Sequence, residues 1–297
     1  MSTTPVPRTT LADLQRVAES LEMISTRWRV WVLMTLSEKP LRYTEIKSKL
    51  PWLHDGSLAP KLRKLSESGL VERTEYEARH VTYGLTARGT ELMPVLKVIA
   101  AWGDACLVKD TVLNPLTGRR EPERIASAQN VEDALLLLTP RHTTAILWTL
   151  RMRGVTSIAA LESVVMPSHA LNAIYPPLRR LVKDGLVERD GEHCVQLSAT
   201  GLALAPVYRS VSAWAAGRPL SRAGTHPVWG DPTPSSQTGP GTRASTQARI
   251  PASAPPGVRA PAVPARAPKA AWQPGDLFSA PMPARPAVFS PAGGQRR

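Results

Sequence analysis

Apolar residues recur at helical spacing in several stretches of the chain, separated by turns and by short extended segments. Spacings of three and four residues place such side chains on one face of a helix. In the first half the pattern predicts helices over 10–24, 27–37, 43–50, one ending at 68, and one over 86–107. Two predicted strands, 71–76 and 81–85, follow the fourth helix and are joined by a short loop.

The same order of elements is predicted again after residue 129. The pattern indicates helices over 130–138, 141–150, 158–165, 168–184 and 198–214, with strands at 186–189 and 193–197. The stretch Leu62–Arg73 returns as Leu178–Arg189, each a basic helix, a glycine and a Leu-Val-Glu-Arg strand. Gly69 and Gly185 stand where a helix ends in a left-handed residue. A repeat of ~115 residues is too long for a solenoid and indicates a duplicated domain.

Composition divides the chain further. The charged, turn-containing segment 108–129 is predicted to connect the two domains, and residues 217–297 hold 16 of the 29 prolines. Such a Pro-rich segment buries too little apolar surface to offset its ordering entropy, so we expect a disordered tail. The predicted organisation is a flexible N-terminus (1–9), a first domain (10–107), the connector, a diverged second domain (130–216) and the tail.

Charge and cysteine content narrow the class of protein. The net charge is +13, but residues 217–297 contribute 10 basic against 2 acidic residues, so the folded part is only mildly basic. Two cysteines in 297 residues suggest a reducing compartment without a disulfide framework. We find no signal-peptide pattern and no apolar run of ~20 residues that would span a membrane. The sequence therefore predicts a cytoplasmic protein.

The predicted order of helix, short helix, turn, helix and two strands is that of a winged helix-turn-helix. Within the first copy, particular residues stand at the expected places: Arg27-Trp28, Arg42–Ile46, Leu62–Leu65, Gly69–Val71, Tyr83–Thr86 and Trp102. With these features, residues 27–102 resemble the HxlR-type branch of bacterial winged-helix regulators, and residues 141–214 resemble a second, diverged copy. The tandem layout with its tail is similar to actinobacterial two-domain members. The expected fold class is α+β, mostly α, with two tandem winged helix-turn-helix domains followed by a Pro/Ala/Arg-rich disordered tail.

The resemblance implies a DNA-binding transcriptional regulator, of a family that is usually dimeric through its first and last helices. We expect a repressor at the nucleoid, with double-stranded DNA as its partner. The terminal helices of both copies are apolar enough to pair, so we expect an intramolecular pseudo-dimer that reads an imperfect palindrome; a homodimer with four heads is the competing arrangement. The main alternative function is a protein-interaction adaptor that has lost DNA binding, and a ligand-sensing regulator is a third possibility.

Basic residues concentrate on the elements that face DNA in a winged helix. Residues 27–89 hold 12 basic and 7 acidic residues, whereas 141–201 hold 7 and 5. Lys and Arg side chains that neutralise phosphates release counterions, which dominates affinity. The second wing carries Asp190 and Glu192, which would repel phosphates, so we expect the second copy to bind DNA more weakly. The predicted DNA contacts are Arg42, Lys47, Lys49, Ser57, Lys61, Arg63, Lys64, Arg79, Arg179, Arg180 and Lys183.

Within this set, Ser57 and Lys61 are the expected groove contacts, and Arg79 at the wing tip is suited to the minor groove. Pro60 and Pro176 occupy equivalent places, and a proline inside a helix costs ~3 kcal/mol. We therefore expect the recognition helix of each copy to bend or to start late.

Catalytic and metal-binding patterns do not emerge from the sequence. We find no P-loop, HExxH motif, nucleophile elbow or Rossmann glycine pattern, and therefore expect neither an enzyme nor a cofactor. His193 and Cys194 are adjacent in a predicted strand, where neighbouring side chains point to opposite faces, so we expect no metal site there. Cys106 on the last helix of the first copy is expected to be an idle or packed thiol.

Overall fold

The computed structural model of the chain describes residues 7–76, 81–167 and 172–231. The first half contains, in order, α1 (Arg8–Ser25), α2 (Arg29–Thr35), β1 (Leu41–Arg42), α3 (Tyr43–Lys49), α4 (Asp55–Glu67), β2 (Val71–Glu75), β3 (Val81–Leu85) and α5 (Ala87–Cys106). A hairpin of β4 (Thr111–Leu113) and β5 (Arg120–Pro122) follows. The second half contains α6 (Ser127–Leu138), α7 (Thr143–Arg153), β6 (Thr156–Ser157), α8 (Ile158–Val165), α9 (Tyr175–Lys183), β7 (Val187–Asp190), β8 (Cys194–Leu197), α10 (Ala199–Leu202), α11 (Ala205–Ala215) and a 3-10 helix (Leu220–Thr225).

The strands of each half form a small antiparallel sheet of the same topology. The order is β1-β3-β2 in the first half and β6-β8-β7 in the second. Val71 pairs with Leu85, and Val187 pairs with Leu197 at the equivalent place. The fold is therefore α+β and mostly helical, with a helix-turn-helix and a wing in the first half. Within the described ranges, no helix is long and apolar enough to cross a membrane.

The repeated Leu-Arg-Lys/Arg-Leu…Gly-Leu-Val stretch makes the same helix stop twice. Gly69 has φ +70° and Gly185 has φ +71°, which confirms the predicted left-handed residues. The Leu70 amide donates back to the Leu65 carbonyl at 3.0 Å, and the second half makes the same bond at the same distance. These bonds satisfy carbonyls that a helix end would otherwise leave unpaired. The strand of the wing can therefore start immediately after the recognition helix.

A hydroxyl residue then ties the wing to the last helix of each half. The Thr86 hydroxyl donates to the Gly69 carbonyl at 2.6 Å and accepts the Gly89 amide at 3.0 Å, which caps α5. Ser198 makes the same two bonds in the second half, at the same distances. The end of the recognition helix, the returning strand and the following helix are consequently held together by one side chain in each copy.

The terminal helices of the two halves pack against each other. Helix α5 lies on α6 and α11, and α1 lies on α6 and α11. The Trp102 indole donates to the Thr200 carbonyl at 3.4 Å, and the Trp214 indole donates to the Arg88 carbonyl at 3.1 Å. The two tryptophans occupy equivalent positions, as do the two acceptors. Each half therefore donates this hydrogen bond from its own tryptophan and accepts the equivalent hydrogen bond from the other half.

Two predicted boundaries between elements are corrected by the structure. The connector carries the β4–β5 hairpin, and α6 begins at Ser127 rather than at Asn130. The single last helix expected from Ser198 to Trp214 is wrong, because the chain breaks between α10 and α11. Pro206 lies in the first turn of α11. A proline there has no amide hydrogen to donate and its ring opposes continuation from α10.

The expected start of the tail at Gly217 is also wrong. Residues 220–225 form a 3-10 helix, and Trp229 is completely buried. Leu220, Val228 and Trp229 supply the apolar surface that the rest of the Pro-rich composition lacks, so this stretch can pack on the core. The remainder of the predicted tail, residues 232–297, lies outside the described residues.

The two recognition helices differ in how they accommodate proline. In the first half, α4 starts at Asp55 and carries Pro60 in its interior, so the expected late start is wrong for this copy. In the second half, α9 starts at Tyr175 with Pro176 in its first turn, where a missing amide hydrogen costs nothing. Helix α9 is consequently shorter than α4.

Candidate nucleic-acid interface

Helix α4 separates an apolar face from a basic one. Leu58, Leu62 and Leu65 are buried in the core of the first half. Arg63 and Lys64 lie on the opposite face and are exposed. Arg63 is 3.7 Å from Glu67, but 72% of its side chain remains accessible, so this surface ion pair is weak. The apolar spacing of the sequence therefore presents two cations to solvent on one side of the helix.

The start of α4 is fixed to α3 by an acidic residue. The Asp55 carboxylate lies 2.9 Å from the Lys47 ammonium and accepts the Tyr43 hydroxyl at 3.0 Å. These hydrogen bonds, with Lys47 first, lower the pKa of Asp55. Lys47, a predicted DNA contact, thus forms an ion pair with a neighbouring residue of the same domain. Asp55 also lies in the first turn of α4, where its negative charge interacts favourably with the positive end of the helix dipole.

The other predicted contacts of the first half lie in different surroundings. Lys61 is half-buried; burial lowers its pKa, the nearby Arg29 and Arg27 lower it further, and Glu132 of the second half opposes them. Ser57 and Lys49 are half-buried, and Arg42 is exposed at the start of α3. Arg79 lies in 77–80, outside the described residues. The structure therefore brings Arg63 and Lys64 together on one exposed face, whereas Lys61 is partly withdrawn from solvent near the charges of Arg29, Arg27 and Glu132.

The recognition helix of the second half has one of its predicted contacts occupied by its own domain. Leu178 and Leu181 of α9 are buried, and Arg179 and Lys183 are exposed. Arg180 donates to the Leu136 carbonyl at 3.0 Å and pairs with Asp184 at 3.4 Å. One of the three predicted contacts on this helix is thus held by its own domain. The surface of α9 differs from that of α4 although the underlying motif is the same.

The second wing differs from the first in charge. Strand β7 ends at Asp190, and Glu192 follows in the turn with 94% of its side chain exposed. Negative side chains at this place repel a phosphate backbone. In the first wing, β2 carries Arg73, which pairs with Glu75 at 3.0 Å.

One contact between the halves was not anticipated from the sequence. The Glu132 carboxylate of α6 accepts the amide of Trp28, the residue immediately before α2. Trp28 has φ +72°, and the Arg27 guanidinium lies 4.5 Å from the centroid of its ring. Burial raises the pKa of Glu132 to about 7, against the Trp28 amide and the Arg27 charge, which lower it. No sequence motif marks this pair, because its members are separated by a whole domain.

Metal binding and thiol reactivity are the two other kinds of chemistry that the sequence raised. Among the described residues, no group of three His, Cys, Asp or Glu side chains could hold a metal ion. Burial raises the pKa of Cys106, which disfavours its reactive thiolate form. What the site can do is present positive charge on an exposed helix that follows a helix and a turn.

A scan against known families matches residues 23–111 to the model described as HxlR-like helix-turn-helix. An uncharacterized HTH-type transcriptional regulator of Methanothermobacter thermautotrophicus is 34% identical over 89 residues, which cover 29% of this chain and 68% of that protein. The HTH-type transcriptional regulator YkvN of Bacillus subtilis, also uncharacterized, is 36% identical over 84 residues, covering 28% and 71%. The family match ends at residue 111, so the second half, which begins with α6 at Ser127, lies outside it.

The HTH-type transcriptional regulator YodB of Bacillus subtilis is 30% identical over 100 residues, which cover 33% of this chain and 89% of YodB. The reduced form of YodB is also a solved structure that resembles this chain. The two share 27% sequence identity over 35% of this chain and 96% of that one, with a TM-score of 0.28.

Proposed function

The chain belongs to the HxlR-like helix-turn-helix family of DNA-binding transcriptional regulators, and from this premise we propose how its two halves divide the binding. The first half is the main reading head, with α4 in the major groove. The second half is its partner within the same chain and contributes less to affinity. The observation that carries this proposal is the second wing, where Asp190 and Glu192 are exposed and would repel phosphates, together with Arg180 of α9, which is bound to the Leu136 carbonyl of its own domain.

The proposed arrangement is an intramolecular pseudo-dimer. The reciprocal hydrogen bonds of Trp102 and Trp214 support it, because a two-fold interface uses the same patch on both partners. Packing of α5 on α6 and of α1 on α11 supports it as well, since these are exchange-related pairs of terminal helices. Two unlike heads in one chain would read an operator that is an imperfect palindrome, with half-sites about one helical turn apart.

We place the protein at the nucleoid in the cytoplasm and propose that it represses the genes that it binds. A compact head docked on a promoter competes with polymerase for the same DNA. A reporter fused to the bound promoter should be more active in cells that lack the protein.

DNA binding is tested with the intact protein and the DNA upstream of its own gene, by mobility shift and footprinting. We expect one protected site whose affinity falls steeply between about 50 and 200 mM salt, because each phosphate contact releases counterions. An unrelated duplex of equal length is the control and should bind far more weakly. Equal affinity for both duplexes, or no binding at low salt, would instead favour the protein-interaction adaptor.

A further inference from the structure

Residues 218–231, which we name the C-terminal strap, return over the second half and insert an aromatic ring into its core. Trp229 is completely buried. Its ring stacks on Tyr208, with centroids 4.6 Å apart and planes inclined by 24°, and meets the edge of Trp148 at 5.9 Å. The strap therefore fills a flat slot whose walls, Tyr208 and Trp148, belong to α11 and α7.

The polar groups of this slot are poorly satisfied by the strap. Among the described residues, no hydrogen-bond partner meets the buried indole nitrogens of Trp148 and Trp229 or the buried Tyr208 hydroxyl. Burial raises the pKa of the Tyr208 hydroxyl, and the nearby Thr144 side chain offsets only part of this effect. Buried polar groups in native cores nearly always have partners. Three unpaired groups lie around a single aromatic cluster, and the Trp229 ring offers no acceptor to the Trp148 N–H or the Tyr208 hydroxyl.

The strap is held by polar bonds that water or a ligand could replace. Arg151 on α7 donates to the Val228 carbonyl at 3.2 Å, and its guanidinium lies 5.8 Å from the centroid of the Trp229 ring. Asp231 pairs with Arg209. His226 lies 2.8 Å from Asp13, and its other ring nitrogen accepts the amides of Val228 and Trp229. Leu220, Val228 and the Trp229 ring supply the apolar contacts of the strap.

We propose that this slot binds a planar aromatic acid about the size of an indole, and that Trp229 is its internal competitor. The ligand ring would replace the Trp229 ring on the face of Tyr208. Oxygen acceptors on the ligand would pair with the Trp148 N–H and the Tyr208 hydroxyl, which no described residue satisfies. Arg151 would lose the Val228 carbonyl and bind the carboxylate instead, a charge-assisted bond that is stronger than the one it replaces.

Displacement of the strap would also break a contact that the strap makes with the first half. The Asp13 carboxylate belongs to α1 and accepts hydrogen bonds from both the strap, through His226, and α11, through Ser212. A ligand that lifts the strap removes one of these partners from the interface between α1 and α11. The proposed site is thus connected to the packing of the two heads by one buried side chain.

The test uses the full chain without DNA, so that its failure is distinct from a failure of the DNA-binding proposal. Indole-3-acetate is titrated into the protein by calorimetry, with neutral indole as the matched probe. We expect the acid to bind at least tenfold more tightly than indole, and Arg151→Met to abolish that preference while exposed Arg141→Met preserves it. No binding of the acid at millimolar concentration, or equal affinity for the two probes, would overturn the proposal.

The competition is tested by removing the internal ring. Trp229→Ala should bind indole-3-acetate at least tenfold more tightly than the wild type, because an occupied site lowers apparent affinity by its free fraction. If Trp229→Ala does not fold, Asp231→Asn is used instead, because it removes the ion pair with Arg209 that anchors the strap at the surface. The Asp231→Asn protein should also bind indole-3-acetate more tightly than the wild type. Unchanged or weaker binding in the folded variant would show that Trp229 is a permanent part of the core and would overturn the proposal.

Discussion

Asp13 is a buried carboxylate whose hydrogen bonds outweigh the cost of its burial. Burial alone would raise its pKa, but hydrogen bonds from His226, Ser212 and Arg16 lower it from 3.8 to about 2. A carboxyl group whose pKa is lower in the folded state contributes stability above pH 3.8, and that contribution disappears as the pH falls toward 2. The side chain therefore stabilises the contact between α1, α11 and the strap at neutral pH.

Replacing Asp13 by Asn should lower the free energy of unfolding by about 1–3 kcal/mol at pH 7, because an amide cannot accept all of these donors. The difference from the wild type should shrink between pH 4 and pH 2, where the wild-type carboxylate becomes protonated. Urea unfolding at several pH values measures both effects. Glu19→Gln on the exposed side of the same helix is the control and should change stability by less than about 0.5 kcal/mol. A constant difference down to pH 2 would contradict this role.

Gly89 is required by close backbone contact and not by backbone conformation. A Cβ atom at this position would lie 2.1 Å from the Leu70 carbonyl oxygen, and Gly201 meets Leu186 at the same distance in the second half. Gly89→Ala should consequently destabilise the protein by several kcal/mol, roughly 3 or more, since the backbone itself must shift. Gly56→Ala is the matched control. Its Cβ meets no described atom within 4 Å, so the variant should be neutral or slightly more stable in thermal unfolding.

At the scale of elements, Glu132 joins α6 of the second half to the start of α2 in the first. Its pKa is raised to about 7, mainly by burial, while an unfolded chain would ionise it near 4.5. The folded state therefore binds this proton more tightly than the unfolded state does. Stability contributed by the protonated form is complete below pH 4.5 and is lost as the pH rises toward 7.

Glu132→Gln keeps an oxygen for the Trp28 amide and removes the buried charge. We expect the variant to be more stable than the wild type at pH 8, by about 2–3 kcal/mol, and nearly equal to it at pH 4. Urea unfolding at these two pH values makes the comparison, with exposed Glu91→Gln as the control. A variant that is less stable than the wild type at pH 8 would mean that the ionised carboxylate is needed there.

The elements themselves were largely predictable because local signals specify them. The spacing of Leu58, Leu62 and Leu65 determines the buried face of α4, and Gly69 determines where the helix ends. The strap was missed because the composition of residues 217–297 as a whole conceals Val228 and Trp229. The engagement of Arg180 was also missed, since its acceptor, the Leu136 carbonyl, belongs to a helix that is distant in sequence.

At the scale of the whole molecule, pairing within one chain should leave no need for a second chain. Light scattering on the purified protein should give a mass near 32.2 kDa, because the terminal helices of the two halves already cover each other. A mass near twice that value would support a homodimer with four heads.

Trp102→Phe would remove one of the two reciprocal hydrogen bonds, and it should lower the stability without changing the mass.

The unequal division of DNA binding between the halves can be measured with paired substitutions. Arg63 and Lys64 are changed to Ala in one protein, and Arg179 and Arg180 in the other, and both are titrated against the same operator by fluorescence anisotropy over a salt series. We expect the first pair to weaken binding roughly tenfold or more and to reduce the salt slope by about 2, and the second pair to do distinctly less. An equal or larger loss from the second pair would contradict the proposal that the first half is the main reading head.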